Sequence, residues 1–325
     1  MLSPGLDLRR LPSILRNRST GLSRRVGFAL SGPKNTLRAE DALVICGDPR
    51  GGSTWLYEVL SRINGVAGLW EPLHIGQVSR FRKIGFGWRH YIAENESAPE
   101  ARNAFDDLFR GRCREPYVLH RTSFRSFRDA EFLLVKFCRA TQLLPWLSLE
   151  FGFARKPVHL VRHPCAIVAS QIKYGAWDTV RPAFSEQDIL SDPLMQPYAD
   201  VLQRINTIEA RFAAVWALTN QVALNHPQRE QRWLTVSYEG LVSSPVDTLS
   251  RVLSDWKLSL DADIEEIILR PSKTTLRSSP IALGDKMAQL SYWQKSLTPS
   301  QIRSILDTVE AFGVGIYDGG VYPWL

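Results

Sequence analysis

The stretch that decides the fold is Ala42-Leu-Val-Ile-Cys-Gly-Asp-Pro-Arg-Gly-Gly-Ser-Thr54. Its first five residues are apolar without interruption, which is the pattern of a strand buried on both faces of a parallel sheet. A glycine-rich turn follows, and from Ser53 onward apolar residues recur with helical spacing at positions 55, 56, 59 and 60. The stretch therefore predicts a strand, a tight turn and a helix, and Asn64-Gly65 marks the expected end of that helix.

The same order of strand and helix returns along the rest of the chain. Strand-like apolar runs occupy Phe132–Lys136, Val158–Val161 and Trp233–Ser237, and a helical pattern follows each of them. Alternating strands and helices predict an α/β fold, a three-layer sandwich in which helices cover both faces of a parallel sheet. Ligands of such sheets bind beyond the carboxyl ends of the strands. The functional residues are therefore expected at those ends.

The glycine-rich turn has the G-x-x-x-x-G frame of a phosphate-binding loop, from Gly47 to Gly52. Glycines let backbone N–H groups approach a phosphate closely, and the start of the helix adds a positive dipole end. The loop of a nucleoside triphosphatase would place a lysine where Ser53 stands, whereas the cation here is Arg50. This departure disfavours an enzyme that cleaves a γ-phosphate. A plain strand–helix turn with an exposed arginine is the alternative for this segment taken alone.

A second candidate anion site begins where the run Val158–Val161 ends. Arg162 follows that run, and Ser170 lies eight residues later, about two helical turns along. A guanidinium pairs with phosphate oxygens through two parallel hydrogen bonds, and a serine hydroxyl can join it on the same phosphate. The alternatives are a surface salt bridge for Arg162 and a serine that faces solvent.

Three segments together resemble the sulfotransferases that depend on 3′-phosphoadenosine 5′-phosphosulfate (PAPS). Pro49–Leu56 resembles their 5′-phosphosulfate loop, Leu160–Ser170 their 3′-phosphate segment, and Ser237–Leu241 their Y-E-D-L stretch. The chain departs from these patterns at four positions, which are Gly51, His163, Cys165 and Gly240. The resemblance implies a P-loop α/β fold of the sulfotransferase type. It also implies sulfuryl transfer from PAPS to an acceptor hydroxyl, with 3′-phosphoadenosine 5′-phosphate (PAP) as product and no metal ion.

The resemblance further implies which residues bind the cofactor. They come from the loop, from the second anion segment and from the Tyr-Glu stretch, and they are Arg50, Gly51, Gly52, Ser53, Thr54, Trp55, Arg162, Ser170 and Tyr238. For Tyr238 the alternative role is packing at a strand end.

The candidate general base lies in Leu69–His74, which resembles the E-P-L segment of carbohydrate sulfotransferases. A glutamate at a similar place acts as base in bacterial trehalose and tyrosylprotein sulfotransferases, so the resemblance assigns this role to Glu71. Trp70 is expected to desolvate the carboxylate and to raise its pKa towards neutrality. His74 and His120 are the alternative bases, because cytosolic aryl and steroid sulfotransferases use a histidine.

The leaving nucleotide gains negative charge during the transfer, so the active site needs cations on that side. Arg50 and Lys136 are the candidates. Lys136 closes the run Phe132–Lys136, and the family places a catalytic-site cation on the corresponding strand. The alternative is a lysine that extends its amine to solvent.

The charge distribution divides the chain into an arm and a domain. Lys and Arg total 40 against 33 Asp and Glu, and residues 1–38 hold eight cations against one acid. We therefore expect a basic N-terminal arm over residues 1–40 and a single domain over residues 41–325. Residues 75–130 and 174–205 match no pattern and are expected to select the acceptor.

Other features bear on location and metal binding. No stretch approaches the roughly 18 apolar residues that a membrane span needs. The cysteines show no C-x-x-C pair or metal-ligand spacing, and Cys46, Cys138 and Cys165 are expected to be buried free thiols. These features predict a reduced, cytoplasmic protein without a metal site.

Two other functions stay open beside sulfuryl transfer. A P-loop nucleotide kinase or related phosphotransferase would require ATP and Mg²⁺. A nucleic-acid-binding protein would use the basic arm, but the chain shows no basic or aromatic stripe on a defined module. For a sulfotransferase the favoured acceptor is a carbohydrate or another small metabolite with a free hydroxyl.

Overall fold

Five parallel strands form one sheet in the computed structural model, which describes residues 28, 32–175, 180–259 and 285–324. The strands are β1 (Leu43–Gly47), β2 (Val66–Trp70), β3 (Phe132–Phe137), β4 (Val158–Val161) and β5 (Leu234–Ser237). Their spatial order is β2-β3-β1-β4-β5. This confirms the expected α/β fold with a parallel sheet.

Helices occupy most of the chain between the strands. Those that precede β4 are α1 (Ser53–Leu60), α2 (Ser79–Lys83), α3 (Pro99–Phe109), α4 (Pro116–Leu119), α5 (Phe124–Arg128) and α6 (Leu144–Phe151). Those that follow it are α7 (Pro164–Tyr174), α8 (Glu186–Ser191), α9 (Ala199–Gln203), α10 (Ile208–Leu224), α11 (Arg229–Arg232), α12 (Tyr238–Ser243), α13 (Pro245–Trp256), α14 (Lys286–Ser296) and α15 (Pro299–Ala311).

Side chains alternate between the two faces of the sheet along β1, and each set packs against helices on its own face. Val44 and Cys46 pack in a cluster with α3 and α6, whereas Leu43 and Ile45 pack with α1 and α13. Because successive side chains of a strand point to opposite faces, a run that is apolar throughout needs a cover on each side. Cys46, Cys138 and Cys165 are buried and free, as expected.

Strand β2 was not expected from the sequence. The helix predicted to reach Asn64-Gly65 ends at Leu60, and Val66–Trp70 then forms an edge of the sheet. Its centre is Gly68, a weak strand former. A Cβ built on Gly68 would lie 2.3 Å from the Tyr57 hydroxyl, so the close packing of α1 on the sheet requires glycine here.

Residues near the start of the described chain contact the domain. The Asn35 side chain donates a hydrogen bond to the Ala130 carbonyl (2.8 Å), and Leu37 and Ala39 are buried. Most of the expected arm over residues 1–40 lies outside the described residues, as do residues 176–179 of the second expected acceptor segment. The division at residue 40 therefore stays a prediction. Of the helices described, none has the length and apolarity that crossing a membrane requires.

Candidate active site

The glycine-rich loop joins β1 to α1, and two of its residues adopt the left-handed backbone conformation. Arg50 has φ 72° and Gly52 has φ 91°, and the Gly51 amide donates to the Asp48 carbonyl (2.9 Å). A Cβ on Gly52 would lie 2.3 Å from a ring carbon of Tyr238, so the ring of Tyr238 rests directly on the loop. Only glycine satisfies both the positive φ and this contact.

The loop and the segment after β4 meet at the carboxyl ends of the strands, where the functional residues were expected. Nη1 of Arg162 donates to the Arg50 carbonyl (2.8 Å), and Nε of Arg50 donates to the Ser170 hydroxyl (2.9 Å). Ser170 lies in α7, and the Arg50 guanidinium also stands 5.0 Å from the ring centre of Tyr174. Residues that are more than a hundred positions apart in sequence therefore form one cluster.

The two guanidiniums of this cluster lack a carboxylate partner within the described part of the chain. Nε of Arg162 is buried without a hydrogen-bond partner there. Burial and the charge of Arg162 lower the pKa of Arg50. An anion bound between these two cations would relieve their repulsion and satisfy the unpaired donor. The role of this cluster as an anion site stays a prediction.

Tyr238 closes the cluster from the end of β5. The Arg162 guanidinium lies 4.2 Å from the centre of the Tyr238 ring, and the Gln289 amide donates to the Tyr238 hydroxyl (2.6 Å). The ring therefore contacts both the loop and the second arginine. This placement agrees with the expected position beside the nucleotide, although its binding role stays a prediction.

The other half of the site is built around Glu71, the residue after β2. Its carboxylate accepts a hydrogen bond from Lys136 Nζ at 2.6 Å, from Arg139 Nη1 at 3.2 Å and from Cys138 Sγ at 3.3 Å. The Cys138 sulfur is in turn 3.7 Å from the Ser53 hydroxyl at the start of α1. Cys138 thus connects the candidate base to the phosphate loop.

The comparison with protein families decides the class of the protein. A model described as the sulfotransferase family matches residues 42–262, about two thirds of the chain. The chain belongs to the sulfotransferase family. It is therefore an enzyme of sulfuryl transfer, and the matched range contains β1 to β5 with both halves of the site.

Solved structures similar to this sulfotransferase include two of different origin. The sulfotransferase domain of the olefin synthase from Synechococcus PCC 7002 is 19% identical, with a TM-score of 0.45 over 88% of this chain and 97% of that one. Mouse sulfotransferase SULT7A1, solved in complex with PAP, is 12% identical, with a TM-score of 0.42 over 83% of each chain. No curated protein sequence matches the sulfotransferase.

The expectation that Trp70 raises the pKa of Glu71 is wrong for this sulfotransferase. Burial does raise the pKa of the Glu71 carboxyl, but Lys136 and Arg139 outweigh it, so the pKa lies below its ordinary value. The sequence argument considered desolvation alone and missed the two cations that the end of β3 supplies. Glu71 is accordingly ionised at neutral pH and held by both of them.

Lys136 does not extend to solvent. It is the penultimate residue of β3, its side chain is 2% exposed, and its ammonium lies 4.0 Å from the centre of the Trp70 ring. The opposing charge of Glu71 and the Cys138 thiol offset the cost of its burial, and its pKa is raised. The structure therefore places the charge of Lys136 on the candidate base rather than on the loop.

The two alternative bases, His74 and His120, lie near Trp70 in the folded chain. Burial and the nearby Arg139 lower the pKa of His74, whose Nδ1 is buried without a hydrogen-bond partner among the described residues. His120 is exposed, with its ring 5.8 Å from that of Trp70 and its Nδ1 2.6 Å from the Tyr117 carbonyl. A neutral His74 can accept a proton, and both His74 and His120 stay alternatives to Glu71.

Sequence reasoning missed the residues that hold the turn after β4. The buried Glu239 carboxylate accepts from the His163 amide (3.0 Å) and from the Tyr317 hydroxyl (2.8 Å). The His163 ring accepts from the Cys165 amide (3.1 Å) at the start of α7 and donates to the Asp318 carbonyl (3.1 Å). His163 thus caps α7, which is a role that the Asp or Asn of the family pattern also suits.

A second network of buried polar side chains contacts the glycine-rich loop at Asp48. The Asn220 side chain donates to the Asp48 carboxylate (2.7 Å), and its oxygen lies 2.9 Å from Nε2 of His159. Burial raises the pKa of Asp48 to about 7. An asparagine in the middle of α10 carried no signal for this role, since only the tertiary fold brings it under the loop.

Proposed function

We propose that this sulfotransferase transfers the sulfuryl group of PAPS to a hydroxyl of a small acceptor and releases PAP. The observation that carries the proposal is the cluster of Arg50, Arg162 and Ser170 beside the glycine loop. It offers donors for two anionic groups at adjacent strand ends. A donor with a 5′-phosphosulfate and a 3′-phosphate carries two such groups on one nucleotide.

The residues that would hold PAPS divide between its two ends. The amides of Gly52, Ser53 and Thr54 and the hydroxyls of Ser53 and Thr54 would bind the 5′-phosphosulfate at the start of α1. Gly51 and Trp55, whose amides bond to the Asp48 and Gly52 carbonyls, would shape the loop around it. Arg162 and Ser170 would bind the 3′-phosphate, with Tyr238 beside the adenosine. The backbone of Arg50 is part of the loop, and its side chain donates a hydrogen bond to Ser170 in the second site. The charge of Arg50 would therefore lie between the two ends of the bound nucleotide.

The transfer requires a base on one side and positive charge on the other. The acceptor oxygen forms a bond to sulfur, and its proton passes to the Glu71 carboxylate. The bond between sulfur and the bridging oxygen breaks, and PAP leaves with that electron pair. We propose that Arg50 and the loop amides stabilise this charge. Lys136 keeps Glu71 ionised until the proton arrives.

The acceptor is proposed to be a carbohydrate or another small metabolite that bears a hydroxyl, bound by residues 75–130 and 174–205. We also propose that the protein acts without a metal ion and in the cytoplasm. The four buried free cysteines support a reducing compartment.

Ligand-dependent stability tests the donor. The melting temperature would be measured with PAP, with PAP and EDTA, and with ATP and Mg²⁺. A binding ligand at 100 times its Kd stabilises the folded state by about 2.7 kcal/mol, so we expect a clear increase with PAP that EDTA does not reduce. Transfer from ³⁵S-labelled PAPS to an acceptor panel then measures the activity. Stabilisation by ATP with Mg²⁺ but not by PAP would instead support a phosphotransferase.

A further inference from the structure

An exposed tryptophan lies next to the candidate reaction centre. Trp88 is 48% exposed, although Phe86 and Ile92 on either side of it are buried. The guanidinium of Arg139 stands 4.6 Å from the centre of its ring and donates a hydrogen bond to Glu71. Arg139 therefore connects the candidate base directly to an open apolar surface.

The indole is held in place by its neighbours. The ring of His74 meets it edge to face with centroids 5.1 Å apart, and His74 in turn packs against Tyr117 with centroids 5.0 Å apart. A tryptophan fixed in this way presents a rigid surface on which the face of a sugar or aromatic ring can pack, at little cost in side-chain entropy.

The charge around Glu71 does not balance. Its single negative charge faces two cations, Lys136 and Arg139, and the buried Lys136 makes the shorter bond of the two, 2.6 Å against 3.2 Å. Lys136 is nearly inaccessible, whereas the Arg139 side chain is 20% exposed. A guanidinium has five N–H donors, and Glu71 is the hydrogen-bond partner found for Arg139 among the described residues.

We propose that Arg139 and Trp88 form an acceptor subsite for a hydroxylated ring that carries a carboxylate. The ring packs on Trp88, the carboxylate pairs with the free donors of Arg139, and the hydroxyl is thereby presented to Glu71. The inference rests on the proposed function, since it takes Glu71 as the group that receives the proton. The subsite narrows the acceptor class to ring compounds that carry a carboxylate. Their negative charge is complementary to the surplus positive charge around Glu71.

Matched acceptors that differ by one carboxylate test the subsite. Calorimetric titrations at pH 7.5 into the PAP-saturated protein would compare 4-nitrophenyl β-D-glucuronide with the corresponding glucoside, and 4-hydroxybenzoate with 4-methylphenol. One charge-assisted hydrogen bond to a carboxylate corresponds to a preference of about 10- to 100-fold. We expect at least one acid to bind this much more tightly than its neutral partner.

Variants separate the two contacts of the subsite. Arg139→Gln should reduce the preference for the acid to less than about threefold, because the carboxylate loses its partner. Trp88→Ala should weaken both members of the preferred pair by a common factor of about tenfold and leave the preference itself unchanged. The control is Arg38→Gln, which alters an exposed arginine that pairs with Glu40 outside the proposed acceptor segments, and it should leave all four affinities unchanged.

The failure of this inference differs from the failure of the proposed function. If neither acid binds more tightly than its neutral partner, or if Arg139→Gln retains the preference, the subsite is overturned while PAP binding and sulfuryl transfer stand. If PAP itself neither binds nor stabilises the wild-type protein, the donor assignment fails first. Melting temperatures of the variants show whether a lost preference reflects lost folding.

Discussion

The two halves of the site differ in whether their cations are paired with a carboxylate. On the side of β4 and β5, Arg50 and Arg162 lie close together, and neither forms an ion pair with a carboxylate among the described residues. On the side of β2 and β3, the cations Lys136 and Arg139 are both paired with Glu71. Unpaired cations retain their charge for an incoming anion, whereas the paired ones keep a carboxylate ionised in a largely buried position. We infer that the first half supplies affinity and the second supplies reactivity.

The largest expected effect tests the reactive half. Glu71→Gln removes the proton acceptor but keeps a hydrogen-bonding side chain beside Lys136, so kcat should fall by about 10²- to 10⁴-fold. The Kd of PAP should change by less than about twofold, because the anion cluster is intact. Steady-state kinetics and calorimetry measure the two quantities, and a melting curve controls for the loss of a buried ion pair.

Two other outcomes for Glu71→Gln would contradict the roles proposed here for the base and for the PAP-binding cluster. Turnover near that of the wild type, with the acid limb retained in the pH profile, would move the base to His74 or His120. A large loss of PAP affinity would contradict the division of labour between the two halves.

An intermediate effect tests the affinity half. Arg162→Ala removes a guanidinium that forms no ion pair among the described residues, so its loss should appear mainly as weaker PAP binding, by about 100-fold. Turnover at saturating PAPS should fall far less than in Glu71→Gln. Calorimetry with PAP measures the effect, and Arg112→Ala, at an exposed arginine near the end of α3, is the matched control. Unchanged PAP affinity would remove Arg162 from the site.

The smallest expected effect concerns pH. Arg139 contributes to the lowered pKa of Glu71, so Arg139→Gln should raise that pKa, and the carboxylate becomes protonated at a higher pH. The acid limb of the kcat/KM profile therefore shifts to higher pH. Near neutral pH the loss of activity towards a neutral acceptor should stay below about fivefold, because Lys136 still pairs with Glu71 and Arg139 is partly exposed. A shift to lower pH would show that Arg139 does not act on the base.

The parts of the fold that sequence predicted are those in which local pattern and tertiary environment agree. The uninterrupted apolar run of β1, the glycines after it and the helical spacing from Ser53 all point to one structure. The meeting of the glycine-rich loop with the segment after β4 was also predictable, because ligand-binding residues of a parallel sheet lie at the carboxyl ends of its strands.

What sequence missed depends on partners from distant segments. β2 contains Gly68, whose lack of a side chain is explained by Tyr57 of α1 rather than by strand propensity. The charge state of Glu71 depends on cations from the end of β3, 65 and 68 positions away. Asn220 and Glu239 are likewise assigned only by the groups they meet in the folded chain.

The network around His163 has a consequence for how the enzyme matures. Tyr317 and Asp318 hold Glu239 and His163, and through them the turn that carries Arg162. During synthesis the sheet can assemble once β5 has emerged from the ribosome. The turn is fully braced only after residue 318 has followed, so the contacts that position Arg162 form later in synthesis than the sheet that carries it.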